Sequence, residues 1–159
     1  MKADLKKEIE LLEGVTIELS GSTLKVKGPK GEIERDFIHP KIKIISDANK
    51  ITLSSEKATK REKMVLGSFE SHIKNMLIGV KELHTYKLKI CSGHFPMNVS
   101  VNGNEFIIKN FLGESVPRKV DLIEGTKVNI DGTEVVVSGP DKEKAGQMAA
   151  RIENLCRIT

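Results

Sequence analysis

An internal repeat constrains the fold of this chain more strongly than any other feature of its sequence. The segment LSGSTLKVKGPKGEIE (19–34) can be laid over VNGNEFIIKNFLGESV (101–116), with turn residues and alternating apolar residues in matching places. Likewise, LGSFESHIKNML (66–77) matches AGQMAARIENLC (145–156), so that Gly67 aligns with Gly146 and Ile73 with Ile152. Repeated patterning of this kind indicates the duplication of one structural unit, here of roughly 70–80 residues.

In the first half of the chain, alternating apolar residues give way to a helical period. VTIEL (15–19) and TLKVK (23–27) flank SGS, and KIKII (41–45) and KITLS (50–54) flank SDAN, which are two hairpin signals. From about residue 56 to residue 80, apolar residues recur at steps of three and four, which places them on one face of a helix. They are Val65, Leu66, Phe69, Ile73, Met76, Leu77 and Val80.

The second half repeats this plan with stronger turn signals. MNVSV (97–101) and EFIIK (105–109) flank NGN, while KVNI (127–130) and EVVVS (134–138) flank DGT. Asp141 offers a helix cap, and a second amphipathic helix follows it. The predicted fold class is therefore α+β, an internal duplication of two small domains, each made of antiparallel strands packed with one helix.

The repeat also predicts where the domains begin and end. Residues 1–80 are expected to form the N-terminal α+β repeat, and residues 81–159 the C-terminal one. The first repeat opens with a short lead-in, residues 1–13, in which Leu5, Ile9 and Leu12 suit either a short helix or an extended approach to the first strand. Because so short a helix is marginal without packing, both conformations remain open at this point.

Composition narrows the classes of protein to which the chain can belong. Hydrophobic residues make up 38% of the chain, but only 4% of residues are aromatic and none is Trp, so the cores must be aliphatic. The net charge of +4 and the pI of about 9.0 favour an anionic partner. No apolar run reaches the ~18 residues of a membrane span, and the charged N-terminus does not resemble a signal peptide. Two cysteines, Cys91 and Cys156, cannot build a disulfide framework, so we expect a cytoplasmic protein with no membrane partner.

Catalytic and metal-binding motifs receive little support from the sequence. Cys91 and His94 could form a nucleophile pair, but no third orienting group is evident, and no further ligands lie at metal-binding spacing. The GPKG segment (28–31) resembles the GXXG loop of KH domains, yet it joins two predicted strands and is better interpreted as a hairpin turn. We therefore predict no enzyme activity, no cofactor, no metal site and no small-molecule substrate. A hydrolase built on Cys91 and His94 remains a weak alternative.

Several ordered blocks of sequence resemble one known family. SHIKNMLIGV (71–80), YKLKI (86–90), GHFPMNVSV (93–101), NFLGESVPRKV (110–120) and VNIDGTEVVVSGPDKEKAGQMAARIE (128–153) are similar to the large-subunit ribosomal protein L-six family, of the archaeal and eukaryotic type. KVKGPKGEIERDF (25–37) fits the same family, so the resemblance covers nearly the whole chain.

This resemblance implies a function as well as a fold. It implies a structural protein that binds large-subunit ribosomal RNA near the factor-binding side, close to the sarcin–ricin region, beside neighbouring large-subunit ribosomal proteins. The second domain is expected to make most of the RNA contact. Members of the family usually continue into a basic C-terminal tail, which is absent from this sequence because it stops at RIT (157–159).

Candidate RNA-binding residues follow from the sign of their charge and their position at strand ends and loops of the second half. The pair Arg118–Lys119 leads this set, because Pro117 stiffens the backbone just before it. The complete set is Lys87, Lys89, His94, Lys109, Arg118, Lys119, Lys142 and Lys144. The alternative class is a protein-interaction module in which these basic side chains only maintain solubility.

Overall fold

The computed structural model describes residues 3–158 and divides the chain into two compact units. Unit 1 is Met1–Leu83 and unit 2 is His84–Thr159, so the division falls between Leu83 and His84, whereas the sequence placed it between residues 80 and 81. Each unit has its own hydrophobic core.

The described residues of unit 1, 3–83, form six strands and one long helix. Its elements are β1 (Ala3–Glu10), β2 (Thr16–Ser20), β3 (Thr23–Gly28), β4 (Gly31–Asp36), β5 (Lys43–Ser46), β6 (Lys50–Ala58) and α1 (Lys60–Lys81). The strands form two antiparallel sheets of three, in the orders β1-β6-β5 and β2-β3-β4.

Unit 2 repeats this arrangement element by element. Its elements are β7 (His84–Lys89), β8 (Asn98–Asn102), β9 (Glu105–Lys109), a short 3-10 turn (Phe111–Gly113), β10 (Arg118–Asp121), β11 (Lys127–Asp131), β12 (Glu134–Gly139) and α2 (Lys142–Leu155). Its sheets have the orders β11-β12-β7 and β10-β9-β8. If β1 is equated with β7 and so on along the chain, both units have the same topology, which confirms the predicted duplication and α+β class.

The lead-in of unit 1 is a strand and not a helix. β1 pairs antiparallel with β6, with Ile9 opposite Ile51. Ile9 is buried in the core, so this segment is an integral part of its sheet. The helical alternative for residues 3–10 is therefore wrong, and residues 1 and 2 of the predicted lead-in lie outside the described residues.

Aliphatic side chains make up most of both cores, but each core also contains a buried phenylalanine, Phe37 in unit 1 and Phe106 in unit 2, so the prediction of purely aliphatic cores is wrong in part. In unit 1, alternate residues of β3 and β6, such as Leu24 and Leu53, are fully buried beneath the α1 residues Ile73 and Val80. In unit 2, Phe106, Val137 and Met148 occupy the centre, where α2 contacts β7, β12 and β10. The amphipathic faces predicted for the two helices are the faces that pack.

The GPKG segment is a hairpin turn that contacts the end of α1. Gly28 pairs with Gly31 across the turn, and the backbone N–H of Lys30 donates to the carbonyl of Val80 at 2.9 Å. A Cβ on Gly28 would come within 2.6 Å of the same carbonyl oxygen, so only glycine permits this approach. The segment therefore joins two strands, unlike the GXXG loop of a KH domain.

Helix α1 begins at Lys60, four residues later than the sequence indicates, because β6 continues as far as Ala58. The Glu62 carboxylate accepts hydrogen bonds from the backbone N–H of Thr59, at 2.8 Å, and from the Thr59 hydroxyl. It also pairs with Lys41 at 3.3 Å. These contacts, led by the Thr59 hydroxyl, lower the pKa of Glu62 to about 2 and define the start of the helix.

Candidate nucleic-acid interface

Lys87 and Lys89 lie on the open face of an edge strand. In β7, Tyr86 and Leu88 point into the core of unit 2, so the intervening lysines point away from it. Both lysines are exposed, and they stand opposite Val136 and Glu134 of β12. The face that they share is available to a partner of unit 2.

His94 and Lys109 belong to two neighbouring segments that are tied together beyond the C-terminal end of β7. The Asn110 side-chain amide donates to the carbonyl of Pro96 at 2.9 Å and ties the 110–113 turn to the 91–97 loop. His94 is exposed and contacts the Phe95 ring edge-on, with centroids 5.0 Å apart. Lys109 is exposed at the end of β9, directly before Asn110.

Lys142 and Lys144 lie at the opposite end of β7. Gly139, at the end of β12, pairs with His84 at the start of β7, and α2 begins three residues later. The two ends of this strand are roughly 17 Å apart at about 3.3 Å per residue. Both lysines are exposed in the first turn of α2, a terminus whose N–H groups favour anions. Lys89, the 91–97 loop with His94, and Lys142 and Lys144 thus lie towards different ends of β7, the last two towards its start, whereas Arg118 and Lys119 belong to β10.

Arg118 differs from the other candidates because its guanidinium is occupied within unit 2. Its Nε and Nη2 donate to the two carboxylate oxygens of Glu114 at 2.8 and 2.6 Å. Its Nη1 donates to the carbonyls of Leu155 and Arg157 at 2.7 and 3.0 Å, and the group lies 4.4 Å from the centre of the Phe111 ring. Four of the five donors of a guanidinium are therefore engaged. Arg118 fastens the 111–117 loop to the C-terminus of α2.

This arrangement also shifts the ionisation of two neighbouring groups. The hydrogen bonds from Arg118 lower the pKa of the Glu114 carboxyl, so this acid stays charged and paired. Burial raises the pKa of the Cys156 thiol, and the nearby guanidinium opposes that rise only in part. Lys119, by contrast, is exposed on the other side of β10 and lies 3.6 Å from Glu105. The basic side chains of Arg118 and Lys119, although adjacent in the chain, thus have different environments.

The two units differ in the share of their lysines that are paired, although among the described residues of unit 1 Lys30, Lys57, Lys60, Lys63 and Lys81 also form no ion pair. In the described part of unit 1, eight lysines form ion pairs with nearby carboxylates, as Lys27 does with Glu18 at 3.0 Å. Within the described part of unit 2, five of the predicted lysines pair with no other residue of the unit. These are Lys87, Lys89, Lys109, Lys142 and Lys144. A phosphate can contact such lysines without displacing a carboxylate.

The sequence matches the Ribosomal protein L6 family over residues 13–83 and again over residues 95–159. The chain belongs to the ribosomal protein L6 family. Each of the two matches falls within one of the units, in agreement with the duplicated topology. Family membership confirms the resemblance on which the functional expectation rests.

Archaeal proteins of this family are similar to the chain along nearly its whole length. "Large ribosomal subunit protein uL6" of Nanoarchaeum equitans is 47% identical over 160 residues, which cover 97% of this chain and 83% of that protein. The protein of the same name from Methanocella arvoryzae is 44% identical, covering 99% and 90%. The one from Saccharolobus solfataricus is 46% identical, covering 98% and 86%.

An L6-family chain is a structural ribosomal protein and not an enzyme, which removes the hydrolase alternative. Cys91 is exposed, and His94 makes its ring contact with Phe95. Across residues 3–158, no group of three or more His, Cys, Asp or Glu side chains is placed to hold a metal ion. In the same residues, neither helix combines the length and apolarity needed to cross a membrane.

Sequence reasoning missed two exposed apolar residues of this L6-family chain that lie beside the basic groups. Phe95 is 45% exposed and Leu112 is 57% exposed, and both line a pocket between the two loops. Selection by charge alone passes over such residues. The available signal was an aromatic and an aliphatic residue inside turn-rich segments, HFPM and FLGE, where neither strand nor helix periodicity explains them.

Proposed function

We propose that this chain is a structural constituent of the large ribosomal subunit, where unit 2 binds large-subunit ribosomal RNA and stabilises its fold during translation. The family resemblance supports a position near the factor-binding side, close to the sarcin–ricin region. It also supports neighbouring large-subunit proteins as partners and residence on cytoplasmic ribosomes. The proposed mechanism is electrostatic and steric, with lysines neutralising phosphates around a rigid fold.

The observation that carries this proposal is the smaller share of paired lysines in the described part of unit 2, one of seven, against eight of the thirteen described lysines of unit 1. By net charge alone, unit 1 is the better candidate, since it has 16 Lys and Arg against 13 Asp and Glu, while unit 2 has 10 against 9. However, many lysines of unit 1 are already paired with carboxylates, and those of unit 2 at the ends of β7 are not. Lysines without a carboxylate partner are the better phosphate ligands, because binding does not first break an ion pair.

The predicted residues divide into two roles under this proposal. Phosphate contacts are assigned to the exposed and unpaired residues Lys87, Lys89, His94, Lys109, Lys142 and Lys144, and secondarily to Lys119, which would first have to leave Glu105. Arg118 is assigned mainly to holding the 111–117 loop in place, because the carbonyls of Leu155 and Arg157 and the Glu114 carboxylate already accept from it. Its effect on RNA binding is then indirect.

A matched pair of double variants tests the proposal, because unit 1 offers exposed lysines that are paired and unit 2 offers exposed lysines that are not. Lys142→Gln with Lys144→Gln removes two unpaired lysines from α2, and Lys6→Gln with Lys43→Gln removes two lysines that are paired with Glu8 and Glu56 in unit 1. Affinity for large-subunit ribosomal RNA is measured over a range of salt concentrations. We expect the unit 2 variant to reduce the slope of log affinity against log salt by about 2, one for each phosphate that is no longer neutralised, and the unit 1 variant to leave it nearly unchanged.

Sedimentation of the native protein from cell extract provides an independent test. Co-migration with large subunits that survives high salt is expected of an integral ribosomal protein. Recovery only in the light fractions would contradict the proposal and favour the protein-interaction alternative. Equal slope reductions in the two double variants would contradict the assignment of RNA binding to unit 2.

A further inference from the structure

A pocket of about 250 Å³ opens between two loops of unit 2. Cys91 to Phe95, together with Met97, form one wall, and Phe111 and Leu112 form the other. None of these residues is acidic, and Lys89 and Lys109 each precede one of the walls by two residues in the chain. The pocket therefore combines apolar and aromatic surface with lysines close by in the chain, while Glu114, two residues after Leu112, is paired with Arg118.

The Phe95 ring contacts neighbouring residues although it is nearly half exposed. It packs against the His94 ring, with an angle of 84° between the two rings. On another side lies Gly113, where a Cβ would come within 3.3 Å of the Phe95 Cε1 atom. A supported and accessible aromatic ring is the kind of surface on which a nucleic-acid base stacks.

Leu112, in the opposite wall of the pocket, has an unfavourable backbone conformation. Its φ of 49° and ψ of 31° lie in the left-handed region, which disfavours any residue with a Cβ, and leucine has no polar side chain to compensate. Its side chain is nevertheless 57% exposed, so packing in the core does not explain the strain. Strain of this kind concentrates where a ligand is bound.

We propose that this pocket holds one unstacked base of the ribosomal RNA, stacked on Phe95 and covered by Leu112, with Lys89 and Lys109 at the flanking phosphates. The inference rests on the proposed function and names the RNA element that the same surface recognises. A base has flat apolar faces that suit these two side chains, and its polar edge suits the exposed 91–93 backbone and the Ser92 hydroxyl. Sequence-specific binding of RNA commonly targets such splayed bases.

Two variants test the pocket without depending on the lysines. Phe95→Leu removes the stacking surface, and we expect affinity for large-subunit ribosomal RNA to fall roughly 5- to 150-fold, the range of one base–aromatic stack. Leu112→Gly removes the opposite wall but suits the local φ, so affinity should fall while the unfolding temperature stays equal or rises. Val116→Ala is the control, since Val116 is 74% exposed but does not line the pocket.

The salt slope separates this inference from the proposed function. Because stacking releases no counterions, both pocket variants should keep the slope of the unaltered protein. If the unaltered protein binds RNA with a steep salt slope and both pocket variants bind RNA as tightly as it does, the pocket proposal is wrong and the proposed function stands. If the unaltered protein binds no RNA at any salt, the proposed function fails and this inference fails with it.

Ultraviolet cross-linking of intact large subunits supplies a direct readout. Mass spectrometry of the peptide that contains residues 91–97 should find a nucleotide attached at Phe95 or beside it. Attachment of this peptide to another ribosomal protein instead would overturn the proposal, because the pocket would then be filled by a protein side chain.

Discussion

The contact between the GPKG turn and helix α1 predicts that Gly28→Ala destabilises unit 1. The new Cβ would lie 2.6 Å from the carbonyl oxygen of Val80 and 2.9 Å from its Cβ and Cγ2 atoms. Because the first of these atoms belongs to the backbone, either the helix end or the turn must move. That movement also weakens the hydrogen bond from Lys30 to the same carbonyl, which measures 2.9 Å.

The size of the effect follows from three contributions. Overpacking of a tight contact costs about 1–3 kcal/mol, and the weakened hydrogen bond about 1 kcal/mol. Alanine offsets about 0.4–1 kcal/mol of this by restricting the unfolded chain. The expected net loss is about 2 kcal/mol of unfolding free energy, which corresponds to roughly 10 °C in the melting temperature of a domain of this size.

Gly67→Ala is the matched control for this prediction. Gly67 lies within α1, and a Cβ there meets no atom within 4 Å. The same substitution should therefore stabilise unit 1, by about 0.5–1 kcal/mol, through its helix propensity.

Urea unfolding of the full chain, combined with hydrogen exchange on peptides from β3, β4 and α1, measures both variants. A loss of about 2 kcal/mol speeds exchange of these peptides roughly 30-fold. The steric reasoning would be refuted if the unfolding free energy of Gly28→Ala equalled that of the unaltered protein, or if it changed in the same direction as that of Gly67→Ala.

Three further predictions concern ionisation and the C-terminus of α2. Because the pKa of Glu62 is lowered to about 2, its stabilisation is complete above the unfolded value near 4.5 and disappears as pH falls toward 2. Thermal unfolding should therefore show Glu62→Gln less stable than the unaltered protein at pH 7 and nearly equal to it at pH 2; the same difference at both pH values would contradict this reasoning. Arg118→Lys keeps the charge but loses the planar fork, so hydrogen exchange after the last turn of α2 should accelerate while the salt slope of RNA binding changes little. Iodoacetamide at pH 8 should modify the exposed Cys91 before Cys156, whose pKa is raised by burial; the opposite order, read by mass spectrometry, would contradict this assignment.

Most of the secondary structure could be predicted because its signals are local. Hairpins around NGN and DGT, and helices with apolar residues at steps of three and four, depend on residues near each other in the chain. β1 lacks a clear local signal, since most of its residues are exposed and charged and it is held by pairing with β6. The repeat nevertheless contained that information, because β1 occupies the place in unit 1 that β7 occupies in unit 2.

The environment of the candidate residues could be predicted only in part. Alternation along β7 correctly places Lys87 and Lys89 on the open face of the sheet. The sequence around Arg118 does not reveal that its partners include the carbonyls of Leu155 and Arg157, which are distant in the chain. Whether a basic side chain is available to a phosphate depends on such long-range contacts. Sequence position alone could therefore not separate Arg118 from Lys119.

The pairing of the first strand with the last also determines when each unit can fold. In both units the opening strand is hydrogen-bonded to the sixth, with Ile9 opposite Ile51 in unit 1, so the sheet closes only after nearly the whole unit has been synthesised. Such nonlocal pairing slows folding, because a long loop must close before the contacts form. During translation, β1 must therefore wait for β6 to emerge, and unit 1 can then complete its fold while the strands of unit 2 are still being made.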